Sequence, residues 1–218
     1  MLGRIVSLVI GYALGHIQTA VMYGKLKGVD IRKVGSGNAG TTNTLRVLGP
    51  KAGAIVLLGD MLKCIVACGI SYLLFGRSNP EYRVLYMTYA AAGCVLGHDF
   101  PLHLGFKGGK GIACTAGYTI CLGWKFTLMG LISFFLPFNL THIVSVCSLC
   151  YYTCLFIMII ITGQMGMLGA MTQQALIEIY VIVGLLTFLA FYQHRGNIKK
   201  LLAGNERKTY IFKKNKID

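Results

Sequence analysis

Residues 107–138 read KGGKGIACTAGYTICLGWKFTLMGLISFFLPF, and whether they make one membrane helix or two decides the fold. As one helix they leave six apolar runs in the chain. As two, broken at Trp124-Lys125, they leave seven: residues 2–23, 52–75, 85–104, 112–123, 126–138, 143–162 and 175–192. Charge separates the alternatives, because Lys and Arg gather in the cytoplasmic loops of membrane proteins. With seven spans and the N-terminus outside, sixteen of the 21 basic residues fall inside. They are Lys25, Lys27, Arg32, Lys33, Arg46 and Lys51 in one loop, Lys107 and Lys110 in another, and Arg195, Lys199, Lys200, Arg207, Lys208, Lys213, Lys214 and Lys216 in the tail. Only Arg4, Arg77, Arg83 and Lys125 fall outside. Six spans would export the whole tail. The expected fold is therefore an all-α integral membrane protein, a bundle of about seven transmembrane helices with a cytoplasmic C-terminus. A single domain over residues 1–218 is expected. From Lys110 to Trp124 the fourth helix reaches only about 21 Å at 1.5 Å per residue, against a hydrocarbon core of about 30 Å. Bilayer thinning or burial inside the bundle has to cover the difference.

Composition agrees. Of 218 residues, 55% are hydrophobic and 13% charged, half the roughly 25% charged content of soluble domains. A net charge of +14 in a soluble chain would point to nucleic acid. Here the loops account for it, so lipid is the expected macroscopic partner and nucleic acid is not. The eight cysteines, Cys64, Cys68, Cys94, Cys114, Cys121, Cys147, Cys150 and Cys154, lie in apolar runs away from His and carboxylates. They read as packing residues, with neither a disulfide framework nor a metal site expected. The run after Arg4 lacks a small-x-small cleavage site, which favours a retained helix over a signal peptide.

Three polar clusters fall on the inner side. The first, residues 35–46, reads GSGNAGTTNTLR. Its GxGxxG spacing (Gly35, Gly37, Gly40) is weak evidence for a dinucleotide site, since no strand precedes it. The physical logic still holds: glycines let backbone N–H groups converge on an anion. Ser36, Asn38, Thr41, Thr42 and Asn43 add neutral donors, and Arg46 offers a planar fork suited to phosphate. The second, residues 97–111, reads GHDFPLHLGFKGGKG. Lys107 and Lys110 bracket Gly108 and Gly109 just before a helix start, a ready phosphate site; His98 is a candidate base or hydrogen-bonding partner. The third, residues 194–206, reads HRGNIKKLLAGNE and runs off the last span as a basic amphipathic stretch that also suits anionic lipid.

Asp60 and Lys63 sit three residues apart in the second span and are expected to face the bundle interior and satisfy each other or the glycine-rich loop. Glu178 has no evident partner and is placed near the outer interface. No GxxxxGK[ST] loop, GxSxG elbow or paired carboxylates are present, which argues against nucleotide hydrolysis, serine hydrolysis and metal-dependent phosphotransfer. What remains is dense phosphate-binding capacity without a nucleophile. A transporter for an organic anion and a lipid-binding adaptor are the competing classes; the first lacks an inverted repeat, the second leaves two clusters unused.

These three motifs in order resemble the bacterial acyl-phosphate:glycerol-3-phosphate acyltransferases, the PlsY family, whose pattern runs GSGNxGxTNxxR, GHxFPxxxxFKGGKG and HRxNIxRLxxGxE. The resemblance extends to DxxK at Asp60–Lys63 and covers nearly the whole chain. Departures are mild: Thr41 for Ala, Lys200 for Arg, and His16 and Gln18 for a Ser and a Pro, so the first helix is expected to be less kinked. The resemblance implies transfer of an acyl group from acyl phosphate to the sn-1 hydroxyl of glycerol 3-phosphate, giving 1-acyl-glycerol 3-phosphate and phosphate. It also implies a bacterial inner-membrane location, a cytoplasmic site, and no cofactor or metal. Acyl phosphate is already activated, so direct attack in a site that positions and stabilises charge suffices. On this reading Ser36, Arg46, Lys110, His194 and Asn197 carry the reaction. Gly35, Gly37, Asn38, Gly40, Thr42, Asn43, His98, Lys107, Gly108, Gly109, Ser145 and Glu206 bind substrate. Oligomeric state and acyl-chain preference are not fixed by the sequence.

Overall fold

The computed structural model describes residues 1–211 and 215; Lys213, Lys214 and Lys216, counted above in the basic tail, lie outside the described residues. Those residues are helical, without strands. The helices are α1 (Leu2–Gly15), α2 (Thr19–Leu26), α3 (Thr41–Leu48), α4 (Pro50–Ser71), α5 (Arg83–Asp99), α6 (Ile112–Leu122), α7 (Trp124–Thr141), α8 (Val144–Gln164), α9 (Gln173–Gln193) and α10 (Arg195–Leu202). All seven apolar runs fold as helices. Four segments are long and apolar enough to cross a membrane: Leu2–Leu26, Pro50–Gly76, Val144–Gln164 and Gln173–Gln193. Large side chains such as Leu58, Leu131, Leu136, Ile157, Leu185 and Phe188 point outward, the arrangement expected where lipid is the solvent.

The stretch that opened the question is two helices. α6 ends at Leu122, Gly123 takes φ +111°, and α7 begins at Trp124. A residue with a Cβ is strained at that φ, so glycine permits the break. Short α6 is sheltered by the bundle. Its Thr115 and Thr119 hydroxyls pair with Tyr152 and Tyr151 of α8 at 2.6 and 2.7 Å, and its Tyr118 pairs with Thr88 of α5 at 2.7 Å. Interhelical hydrogen bonds of this kind contribute about 0.6–2 kcal/mol each in membrane bundles.

α1 and α5 make the closest helix pair. Gly11 and Gly15 on α1 meet Gly93 and Gly97 on α5, and a Cβ on any of the four would collide with the facing backbone. Small residues at i, i+4 allow such approach where lipid supplies no hydrophobic drive. Gly93→Val is expected to cost at least the 1–3 kcal/mol of an overpacked core, read as a lowered unfolding midpoint in detergent. Gly69→Val, at a position with nothing within 4 Å, serves as the control and should stay close to wild type.

The first span corrects one expectation. It is broken between α1 and α2 at residues 16–18 although no proline is present. The break frees carbonyls that buried side chains then occupy. Lys63 Nζ donates to Gly15 O (3.2 Å) and Ile17 O (2.6 Å), and Gln18 Nε2 donates to His98 O (3.0 Å). Lys63 also pairs with Asp60 Oδ1 at 3.0 Å, both side chains nearly fully buried, as the spacing predicted. At the other end of the bundle Glu178 finds a partner the sequence did not reveal. Arg4 of α1 binds it through Nε and Nη2 at 2.7 and 2.8 Å, and Tyr89 Oη donates at 3.2 Å. α1, α5 and α9 are thereby tied together far from the polar clusters.

Candidate active site

The first cluster is held by one asparagine. Asn43, fully buried at the start of α3, donates from Nδ2 to Ile31 O (2.8 Å) and Val34 O (3.0 Å) and accepts from Ser36 N at Oδ1 (2.8 Å). The chain must turn back to meet it. Gly35 and Gly37 do so at φ +60° and +71°, and a Cβ on Gly35 would strike Asn43 Oδ1. The second cluster is anchored from below: Gly108 N and Gly109 N donate to the carbonyls of Asp99 and His98 at 3.1 and 3.0 Å. The third arrives on α10 and then turns back, so that Thr209 N reaches His142 O (2.8 Å). Thr209 Oγ1 accepts from Arg46 Nε and Nη2 at 3.0 and 2.6 Å.

These three pieces enclose one cavity of about 580 Å³. Of the residues singled out from sequence, Gly35, Ser36, Gly37, Asn38, Gly40, Thr42, Asn43, Arg46, His98, Gly108, Lys110, Ser145, His194, Asn197 and Glu206 all line it. Lys107 and Gly109 do not. They border a second cleft of about 630 Å³ on the other side of the loop, with Asp99, Arg195 and Lys199. Asp60 and Lys200 also line the first cavity, although the sequence marks one only as a partner of Lys63 and the other only as a basic residue of the tail. Thr209, outside the cavity, clamps Arg46 and belongs to no motif. Leu57, Ile112, Ala113, Phe134 and Val144 add an apolar wall that no motif marks.

Lys110 stands at the head of a hydrogen-bonded relay. Lys110 Nζ donates to Asn197 Oδ1. Asn197 Nδ2 donates to Glu206 Oε1 at 2.6 Å, and Ser145 Oγ donates to the same oxygen at 3.2 Å. Glu206 thus fixes the amide of Asn197 so that its oxygen faces Lys110. Burial pulls the Lys110 ammonium down to about 8, with Glu206 and Asp99 opposing and Arg46 and Arg195 adding to the shift. Burial, then the Lys110 charge, pushes the His194 imidazole down to about 4, with the Ala190 carbonyl opposing. His194 Nδ1 lies 2.7 Å from Ala190 O. A carbonyl only accepts, so Nδ1 carries the proton of the neutral ring and Nε2 is left as an acceptor. Together these groups form a desolvated, cationic pocket with an apolar side, suited to a phosphorylated substrate that also carries an acyl chain.

Comparison with known proteins agrees with this geometry. The family model described as glycerol-3-phosphate acyltransferase matches residues 5–204. The glycerol-3-phosphate acyltransferase of Clostridioides difficile (strain 630) is 41% identical over 94% of this chain and 94% of that protein. That of Lactiplantibacillus plantarum is 36% identical over 93% and 90%. Among solved structures, the glycerol 3-phosphate form of PlsY, an integral membrane glycerol 3-phosphate acyltransferase, superposes with a TM-score of 0.81 at 30% identity, covering 95% of this chain and 96% of that one. Its lysophosphatidic acid form gives 0.79 at 30% identity, covering 94% of each. The chain belongs to the glycerol-3-phosphate acyltransferase family, the PlsY enzymes, and is an acyltransferase.

Proposed function

We propose that this enzyme transfers an acyl group from acyl phosphate to the sn-1 hydroxyl of glycerol 3-phosphate. It would do so on the cytoplasmic side of a bacterial inner membrane crossed seven times, with the N-terminus outside. The observation that carries the reading is the single cavity lined both by the cations Arg46, Lys110 and Lys200 and by the apolar side chains Leu57, Ile112, Phe134 and Val144. The cations suit two phosphoryl groups, and the wall suits a fatty acyl chain. The distribution of Lys and Arg supports the orientation.

In the proposed reaction the glycerol oxygen attacks the acyl carbonyl carbon. The bond from that carbon to the phosphate oxygen breaks, and the hydroxyl proton leaves on the phosphate. Ser36, Asn38 and the backbone of residues 35–40 cradle the acyl phosphate, while Arg46, Lys110 and Asn197 hold glycerol 3-phosphate. His194 accepts the hydroxyl proton at Nε2 as the new C–O bond forms and passes it to the departing phosphate, while its Nδ1–H stays on the Ala190 carbonyl. Asn43 and Glu206 act through the groups they position. Purified protein in detergent should release phosphate from acyl phosphate only when glycerol 3-phosphate is added. Release independent of the acceptor, or none with it, would remove this assignment.

The pH dependence follows from the two shifted groups. His194, at about 4, is neutral throughout the neutral range, so it should add no limb of its own to kcat/KM near pH 6.5. Lys110, at about 8, loses its proton as pH rises through that value, and with it the cation that binds phosphate. The profile of kcat/KM for glycerol 3-phosphate should therefore fall above about pH 8, and below about pH 7.5 should follow only the titration of the substrate's own phosphate, whose second pKa is about 6. Lys110→Arg, which stays charged, should push the fall to higher pH.

A further inference from the structure

Asp60, Lys63 and His98 meet at the inner end of the cavity. Asp60 is 1% exposed. Its Oδ1 accepts from Thr19 Oγ1 at 3.0 Å and is ion-paired with Lys63 Nζ, also at 3.0 Å. Its Oδ2 is buried and has no hydrogen-bond partner among the described residues, although Asp60 lines the cavity. His98 stands beside it, Nδ1 being 3.8 Å from Asp60 Oδ1. Lys63 Nζ lies 2.9 Å from His98 Nδ1. An ammonium group only donates, so Nδ1 is the acceptor and the ring proton sits on Nε2. This tautomer is the reverse of that in His194. Nε2 faces Gly109, where a Cβ would collide with it. That N–H has no acceptor among the described residues, and His98 lines the cavity.

We propose that Asp60 and His98, with Lys63 as the positioning residue, form an acceptor–donor pair that binds the hydroxyl of glycerol 3-phosphate that is not acylated. The assignment rests on the substrate reading above. A hydroxyl gives one proton and takes another, which matches a carboxylate oxygen lacking a donor beside an N–H lacking an acceptor. A phosphate does not fit here, because the Asp60 charge repels it while Arg46, Lys110 and Lys200 attract it elsewhere in the same cavity. The reacting hydroxyl does not fit either: it must reach the acyl phosphate held by the cradle of residues 35–40. Placing one hydroxyl here and the phosphate at the cations leaves the other hydroxyl to meet the acyl donor.

The test compares glycerol 3-phosphate with 3-hydroxypropyl phosphate, which keeps the phosphate and the primary hydroxyl and lacks the secondary one. Wild type should prefer glycerol 3-phosphate by roughly 10–100-fold in kcat/KM, the scale of a hydrogen bond to a charged group. Asp60→Asn and His98→Ala should each collapse that ratio toward one. His98→Gln, whose side-chain amide N–H reaches near the Nε2 position, should recover part of it. Unfolding midpoints in detergent accompany each variant. If Asp60→Asn fails to fold, the His98→Ala and His98→Gln pair still decides, because it leaves the Asp60–Lys63 pair in place. A wild type without preference, or variants that keep the wild-type ratio while losing rate on both substrates alike, overturns the proposal. A wild type that does not acylate glycerol 3-phosphate at all overturns the proposed function instead.

Discussion

Lys110→Ala is expected to lower kcat/KM for glycerol 3-phosphate by about 10²–10³-fold while the protein stays folded, and Arg46→Ala should do nearly as much. The scale is that of removing one preorganised donor from a desolvated site. Lys110 stands where two of the three motifs touch: it rises from the second and donates to Asn197 of the third. Removing it takes away a cation and also the partner that Asn197 Oδ1 faces, so phosphate binding and the set of the third motif weaken together. Arg46 is held by Thr209 and by the Arg207 carbonyl, which accepts from Nη2 at 3.2 Å; losing it also loosens the tail over the cavity. The two effects should therefore combine non-additively in the double variant, since residues in one network share their losses. Steady-state kinetics with thermal unfolding as control measures this. Both single variants turning over near the wild-type rate would end the assignment of these cations to the phosphoryl groups.

Much of the architecture was legible in the sequence because a membrane imposes simple rules. Apolar runs must be helical to satisfy their backbone, and they are. The glycine and aromatic–lysine break at Gly123–Lys125 marks where α6 gives way to α7. The Asp60–Lys63 spacing predicted a mutual ion pair, which is present. The three motifs were legible as phosphate chemistry and share one cavity.

What escaped notice depends on contacts between distant residues. The break at residues 16–18 is stabilised by Lys63 and Gln18, partners that local propensity cannot see. Asp60 read as structural because its pairing with Lys63 accounts for one oxygen and leaves the other unmentioned. Lys107 and Lys110 look equivalent around two glycines, yet Lys110 lines both the main cavity and the neighbouring cleft, whereas Lys107 lines the cleft alone. Thr209 carries no motif. It matters because the tail folds back to bring one hydroxyl against a guanidinium 163 residues away in sequence. A signal was available for the α1–α5 contact, in the four-residue spacing of Gly11 with Gly15 and of Gly93 with Gly97, which marks close helix pairs in membranes.

Asn43→Ala is expected to damage both stability and rate, because this side chain does for the first motif what a β-ladder does elsewhere. It is 1% exposed and makes three hydrogen bonds to the backbone of residues 31–36. Truncation leaves two carbonyls and one N–H without partners in a buried setting, each costing about 1–3 kcal/mol before relaxation. A loss of about 3 kcal/mol is expected once the loop adjusts. The loop's left-handed turns at Gly35 and Gly37 have no other side chain drawing Ser36 N inward, so the cradle loses its preorganisation with its support. kcat/KM should then fall by roughly 10²-fold, the price of misplaced donors rather than of a lost contact to substrate. Asn43→Asp separates the two causes. It is isosteric and keeps the acceptor for Ser36 N, but puts a carboxylate oxygen against the Ile31 and Val34 carbonyls. It should therefore be at least as destabilised as Asn43→Ala, and protonation at low pH should restore part of its stability by returning a donor. Chemical or thermal unfolding of both variants between pH 5 and 8, beside their kinetics, reads this directly. An Asn43→Ala enzyme that unfolds at the wild-type midpoint and turns over at the wild-type rate would show that the loop holds its shape without this residue.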